Sequence, residues 1–116
     1  MMATPIDRLK RKLTIENLWL YILTLLKDGP KYPYEIPDLM EKRFGWKPAR
    51  VTGYIVMKRL EMDGYIRIVR RKSSQGRVRN YYELTDKGRE ALREAEDFLR
   101  GLVNSLFGSE EESVES

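Results

Sequence analysis

The hydrophobic period of this chain changes twice along its length, and that order leaves few architectures open to it. Up to Gly64 apolar residues recur at spacings of three and four in short stretches broken by glycine; from Tyr65 to Leu84 they alternate by two; from Thr85 the three-four repeat returns and runs to Leu106. Short helices, one hairpin and one long helix are therefore predicted, a mainly α fold with a small β-hairpin, α+β in class. The chain has 116 residues, enough for one core, since a domain of this size buries roughly two thirds of the surface its unfolded chain exposes.

Ile15, Leu18, Trp19, Ile22, Leu23 and Leu26 form the first helical stripe, with Thr14 as its predicted cap and Gly29 and Pro30 as its stop. Leu20, Tyr21 and Leu25 lie outside that stripe, so this helix needs cover on more than one side, and a second chain is the expected cover. In the next helix Pro33 and Pro37 fall in or before the first turn, Ile36, Leu39, Met40 and Phe44 are apolar, and Gly45 ends it. A third helix is expected over about 48–63, with Tyr54, Met57 and Leu60 toward the core and Arg50, Thr52 and Arg59 away from it. Three short helices in tight succession read as a helix-turn-helix.

Ile66 and Ile68 alternating with Arg67 and Val69, followed by the segment 78–84, predict a hairpin with Ser73, Ser74, Gln75 and Gly76 at its tip. Arg67, Arg70, Arg71, Lys72, Arg77 and Arg79 lie on it with no acidic residue between them. An anionic partner explains that composition, and protection of edge strands against aggregation is the plainer alternative. Thr85 caps the last helix with Asp86 in its first turn, and Leu92, Ala95, Leu99, Leu102 and Leu106 then repeat at three, four, three and four. That is a coiled-coil seam longer than the small domain behind it needs, which predicts pairing with the same helix of a second chain. Residues 108–116 read as a disordered acidic tail.

Charge separates along the chain. Residues 1–80 hold 18 Lys/Arg against 8 Asp/Glu, net +10, and residues 81–116 hold 4 against 10, net −6. A basic body with an acidic end suits a module that meets a polyanion with one part only, although general surface charging of a heat-adapted protein gives similar totals. There is no cysteine and no histidine, which excludes disulfides, thiolate or imidazole metal sites and His-based acid/base chemistry. No nucleophile with a base partner can be assembled around Asp28, Glu35 or Asp38, so neither an enzyme, a metal nor a cofactor is expected. The basic run Arg8, Lys10, Arg11 and Lys12 is followed by an apolar stretch interrupted by Glu16, Asn17 and Lys27, which is neither a signal peptide nor a membrane anchor and implies a cytoplasmic protein.

Three strings sharpen the reading: LTLLKDGPKYPYEI at 23–36, GYIVMKRLEMDGYI at 53–66 and GRVRNYYELTDKGREAL at 76–92. In these the chain resembles the PadR family of transcriptional regulators, in which a tyrosine like Tyr54, a stretch like Lys58 to Glu61, an Asp-Gly pair like Asp63 and Gly64, and a segment like Tyr81 to Gly88 recur. The resemblance implies a winged helix-turn-helix with a long C-terminal dimerisation helix: a DNA-binding domain over 1–84, with a basic leader over 1–13, a recognition helix over about 48–63 and a wing over 65–84, then a dimerisation helix over 85–107. Two positions depart from the family pattern. Pro33 stands where Gly is usual, and Gly53 stands where a larger apolar residue is common, which either lets the third helix approach DNA more closely or loosens it by about 1 kcal/mol relative to Ala.

The implied function is sequence-specific binding of double-stranded DNA by a homodimeric regulator, a repressor by family expectation, on a pseudo-palindromic operator. Arg50 is placed to reach guanine, Thr52 a thymine methyl or a phosphate, and Lys58 the backbone; Tyr54 is either a core aromatic or a hydroxyl on phosphate. Arg70, Arg71, Lys72, Arg77 and Arg79 of the wing are expected on phosphates or in a minor groove. The leader residues Arg8 to Lys12 either add contacts or are simply solvated. Leu18, Ile22, Leu92, Ala95, Leu99, Leu102 and Leu106 are the expected dimer contacts. The resemblance also implies a small aromatic or planar effector, for which Trp19, Tyr21, Phe98 and Leu99 would be the lining; an ordinary apolar dimer core is the alternative use of those side chains. A winged-helix dimer serving mainly as a small-molecule receptor or a protein-docking module is the competing function.

Overall fold

The computed structural model describes residues 3–72 and 75–108, Lys72 by its backbone alone. In chain order these form α1 (Pro5–Lys12), a 3-10 turn (Ile15–Asn17), α2 (Leu18–Leu26), a second 3-10 turn (Pro33–Glu35), α3 (Ile36–Phe44), α4 (Arg50–Met62), the strands β1 (Ile66–Lys72) and β2 (Val78–Leu84), and α5 (Asp86–Phe107). This is the mostly helical α+β winged-helix arrangement expected. Ser73 and Ser74 of the hairpin tip and residues 109–116 of the acidic tail lie outside the described residues.

The core is built around α2, which is apolar around its circumference and supplies Leu18, Ile22, Leu23, Leu25 and Leu26. Ile36 and Met40 of α3, Met57 and Leu60 of α4, Ile66 of β1 and Tyr82 and Leu84 of β2 close over it from the other sides. Leu18 and Ile22 are therefore corrected as dimer contacts: at 2% and 0% exposure they are used up inside the protomer. A helix apolar on every side did need cover, but most of that cover comes from its own chain.

The basic leader expected over 1–13 contains a helix that its charge did not announce. Thr4 accepts a hydrogen bond from the Asp7 amide and the Asp7 carboxylate accepts one from the Thr4 amide, both at 3.1 Å, and Pro5 follows the cap. This reciprocal cap starts α1, whose last turn carries Lys10, Arg11 and Lys12 against the negative end of the helix dipole. Thr14 consequently does not cap α2. Its hydroxyl donates to the Lys10 carbonyl at 2.6 Å, finishing α1, and the chain turns through Ile15–Asn17 before α2 begins.

α3 stops at Gly45, whose φ of 81° is left-handed and whose amide reaches the Glu41 carbonyl at 3.0 Å, so the chain reverses into α4 within five residues. β1 and β2 pair antiparallel from Ile66 opposite Leu84 to Lys72 opposite Val78. Two bonds between Lys31 and Tyr82, of 3.0 and 2.9 Å, fasten this wing to the segment ahead of α3. Thr85 caps α5 by accepting from the Gly88 amide at 3.1 Å, and α5 then leaves the body. The radius of gyration is 17.3 Å, against about 13 Å for a compact chain of this length, because α5 and α1 project.

Candidate nucleic-acid interface

The helix-turn-helix pair α3 and α4 presents α4 to solvent along one side. Gly53, Met57 and Leu60 are buried, and the opposite side carries Val51, Ile55, Lys58 and Met62, at successive spacings of four, three and four, with Tyr54 beside them. Tyr54 is 45% exposed; its reading as a core aromatic is corrected, because Gly53 occupies the buried position one residue earlier. Gly53 itself faces the protein, so its small size does not bring α4 closer to anything outside. Thr52 is half-buried at the edge of the exposed side, and Lys58 is exposed with Glu61 at 3.4 Å.

Arg50 does not extend outward from the first turn of α4. Its guanidinium lies 3.9 Å from the centre of the Tyr34 ring, an Nη2 donates weakly to the Tyr34 carbonyl at 3.4 Å, and its Nε is sealed from solvent without a partner among the described residues. Tyr34 in turn lies 6.4 Å from Tyr32, near-parallel to it, and Arg79 of β2 sits 4.8 Å over the Tyr32 ring, with Tyr81 tilted 5.8 Å away. A ladder of cation and ring faces thus runs from the start of α4 to the wing. Arg70 and Arg71 are exposed on β1 with no acidic partner among the described residues, and Arg77 is exposed just before β2. Nothing is assigned to the Lys72 side chain, which lies outside the described residues.

Electrostatics around α4 are partly self-neutralised. A hydrogen bond from Lys47 at 2.9 Å, aided by the positive charge of Arg50, holds the Asp38 carboxyl below its ordinary range; the same hydrogen bond, with Glu41 nearby, raises the Lys47 ammonium. Arg67 is tied to Glu83 across the hairpin at 2.7 Å and Arg59 to Asp63 at 3.1 Å. Of the cations expected to meet a polyanion, Arg70 and Arg71 are thus the most available. Among the described residues no cluster of Asp or Glu is placed to hold a metal ion, and no helix is long and apolar enough to cross a membrane.

A second surface is formed by α5 and the N-terminal segment. Leu92, Ala95 and Leu99 of α5 are half-buried, and beyond them Leu102 and Leu106 are exposed together with Phe98, Val103 and Phe107. On α1 and at its C-cap, Ile6, Leu9 and Leu13 are also exposed, an apolar stripe that the basic residues around it obscured and that the Thr4 and Asp7 cap could have revealed. Between α2 and α5 runs an open groove of about 710 Å³ lined by Tyr21, Thr24, Phe44, Leu92 and Leu99. Tyr21 and Leu99 of the expected effector lining are in it. Trp19 instead packs on the core, donating to the Asn17 side chain at 3.1 Å, and Phe98 is 67% exposed outside the groove; both depart from the expected lining.

The Transcriptional regulator PadR-like family model matches residues 22–94, more than half of the chain. A PadR-like transcription factor from Bacteroides fragilis is 28% identical, with 86% of this chain and 96% of that one covered and a TM-score of 0.70. A PadR family transcriptional regulator from Eggerthella lenta is 26% identical over 87% of this chain and 88% of its own, with a TM-score of 0.72. One from Clostridium difficile is 27% identical over 78% and 97%, with a TM-score of 0.65. No curated protein sequence matches the chain significantly.

Proposed function

Since the chain belongs to the PadR-like family of transcriptional regulators, and is therefore a DNA-binding regulator of transcription and not an enzyme, we propose that it works in the cytoplasm as a homodimeric repressor on a pseudo-palindromic operator. The observation that carries this reading is the presence of two separate surfaces: a solvent-facing α4 with Arg70 and Arg71 of the wing, which have no acidic partner among the described residues, and the exposed apolar stripes of α1 and α5. The first suits a major groove with phosphates beside it. The second buries itself only against another copy, and a two-fold dimer sets two α4 helices against half-sites about 34 Å apart.

In such a dimer Leu92, Ala95, Leu99, Leu102 and Leu106 form the α5 seam and the α1 stripe covers it from the flank. Tyr54 and Thr52 join α4 contacts, Lys58 and the wing residues Arg70, Arg71 and Arg77 meet backbone phosphates, and Arg50 and Arg79 approach from the ring ladder. The groove of about 710 Å³ favours a second role beside the first: an aromatic or planar effector held on Tyr21 and Leu99 relieves repression by binding one dimer geometry better than the other.

Footprinting on DNA upstream of the protein's own gene, with excess competitor and two salt concentrations, tests the proposal. A symmetric protected site is expected, with affinity falling at a log–log salt slope near −7 if about eight phosphates are neutralised. No duplex binding at low salt would overturn it in favour of the receptor or protein-docking function.

A further inference from the structure

We propose that Val51 and Ile55 determine operator specificity by contacting the C5-methyl groups of thymines, which deepens the DNA-binding reading above and rests on it. Val51 is 69% and Ile55 64% exposed, one helical turn apart, and Met62 continues the same line at 75%. The buried side of α4 is already occupied by Gly53, Met57 and Leu60, so the protomer's core has no use for these side chains. Helix stability has none either, because β-branched residues are poorer helix formers than the Ala, Glu or Lys that usually cover a solvent face. Isolated exposed apolar residues are ordinary on a protein surface. Two branched ones side by side on the helix best placed to enter a groove need an occupant.

Charge identifies it. Lys58 lies on the same side of α4 between Ile55 and Met62, and Arg70 and Arg71 of the wing are exposed without acidic partners among the described residues. This surface draws a polyanion, and a second copy of the chain is already provided for by α1 and α5. On the major-groove edge of duplex DNA the one apolar group is the thymine methyl. Polar readout by the first turn of α4 is reduced because Arg50 is stacked on Tyr34. The N-terminal half of the helix therefore offers bases two aliphatic side chains and the Tyr54 ring, an arrangement that selects A·T pairs by shape and methyl contact more than guanine by hydrogen bonding.

The test uses duplexes that differ only in those methyls. Sites recovered by selecting a random duplex pool on the full-length protein are resynthesised with uracil replacing thymine, first throughout and then one position at a time, with replacement in the flanks as the control. Wild-type protein is expected to bind the uracil duplex about fourfold more weakly for each methyl contacted, with flank replacement neutral. The Val51→Ala/Ile55→Ala variant, whose exposed positions accept Ala without disturbing the core, is expected to keep the salt slope and bind thymine and uracil duplexes alike. Equal binding of both duplexes by the wild type overturns the proposal while leaving DNA binding intact, as does discrimination retained in the double variant. Failure to bind any duplex overturns both readings together.

Discussion

Gly88 is where one added methyl has the largest calculable consequence. It is the third residue of α5, buried against the turn into β1, and a Cβ there would stand 2.2 Å from the Tyr65 carbonyl oxygen and 3.1 Å from Leu84 Cδ2. The backbone oxygen cannot give way. The Tyr65 oxygen accepts the Thr85 amide at 3.1 Å and the Tyr65 amide is bonded to Leu60 at 2.9 Å. Relief requires α5 to withdraw by about an ångström, which strains the Thr85 cap and its hydroxyl bond to the Gly64 carbonyl at 2.6 Å. Overpacking of this kind costs about 1–3 kcal/mol and a lost cap about 1, against about 1 gained in helix propensity. Gly88→Ala should lose about 1–3 kcal/mol net, a fall in Tm on the order of 10 °C. Gly53→Ala is the internal control: it is also helical, but a Cβ there meets nothing within 4 Å, so the propensity term stands alone and stabilises by about 1 kcal/mol. Thermal and urea unfolding at one fixed protomer concentration would measure both, since association shifts apparent stability. A Gly88→Ala protein as stable as wild type, or a Gly53→Ala protein less stable than it, would refute the packing argument.

Replacing Arg70 and Arg71 by Ala removes up to four phosphate contacts from a dimer and should flatten the log–log salt slope of DNA binding by about 3–4; an unchanged slope would show the wing held off the DNA. Leu102→Glu places a charge on the exposed part of the α5 seam, where Leu102 is 41% exposed in the protomer. Sedimentation should then show a monomer with wild-type helix content, and a persistent dimer would remove that seam from the interface. Burial raises the Tyr82 hydroxyl above its ordinary value, and the neighbouring Glu61 carboxylate, which accepts its hydrogen bond at 3.3 Å, adds to the rise. Because the folded-state value exceeds the unfolded one, this contribution to stability is complete below about pH 10 and lost as pH climbs through the folded-state value. Tyr82→Phe should therefore show a shallower alkaline fall in stability than wild type, measured by urea midpoints from pH 9 to 12; parallel curves would contradict it.

The elements that read clearly from the sequence are those whose local signals agree with one another. The period of two between Ile66 and Leu84, the Thr85 cap and the glycine after Phe44 each name one structure, and each is present. What did not read clearly depends on contacts between distant residues. Leu18 and Ile22 sit on a helix that is apolar all round, and periodicity cannot say whether such a helix is covered by its own chain or by another. α4 carries apolar residues on both sides, so Tyr54 could be given to the core and Val51 and Ile55 passed over, although the buried side needed only Gly53, Met57 and Leu60. Arg50 was read as reaching outward because nothing in its own helix shows Tyr34, which lies 16 residues earlier and holds the guanidinium on its ring. Four basic residues of α1 hide the stripe of Ile6, Leu9 and the C-cap Leu13, even though the capping residues Thr4 and Asp7 are in plain view.

Pro33 gives the ring ladder its stiffness. It stands at the first position of the turn Pro33–Glu35, where no helical partner is needed for the missing amide. Tyr32 before it is extended at φ −87° and ψ 130°, the conformation a following proline favours. The turn is closed from both sides: the Tyr32 amide donates to the Glu35 carboxylate and the Glu35 amide to the Tyr32 carbonyl, both at 3.0 Å. Glycine at position 33 would leave that geometry reachable but widen the unfolded ensemble, a difference worth about 0.4–1 kcal/mol. The larger consequence is positional. Tyr32 and Tyr34 flank Pro33 and carry Arg79 of the wing and Arg50 of α4 on their faces, so fixing one backbone turn fixes the separation of two cations on different elements. The wing and the start of α4 are thereby held in one register, and a DNA site that fits one constrains the placement of the other.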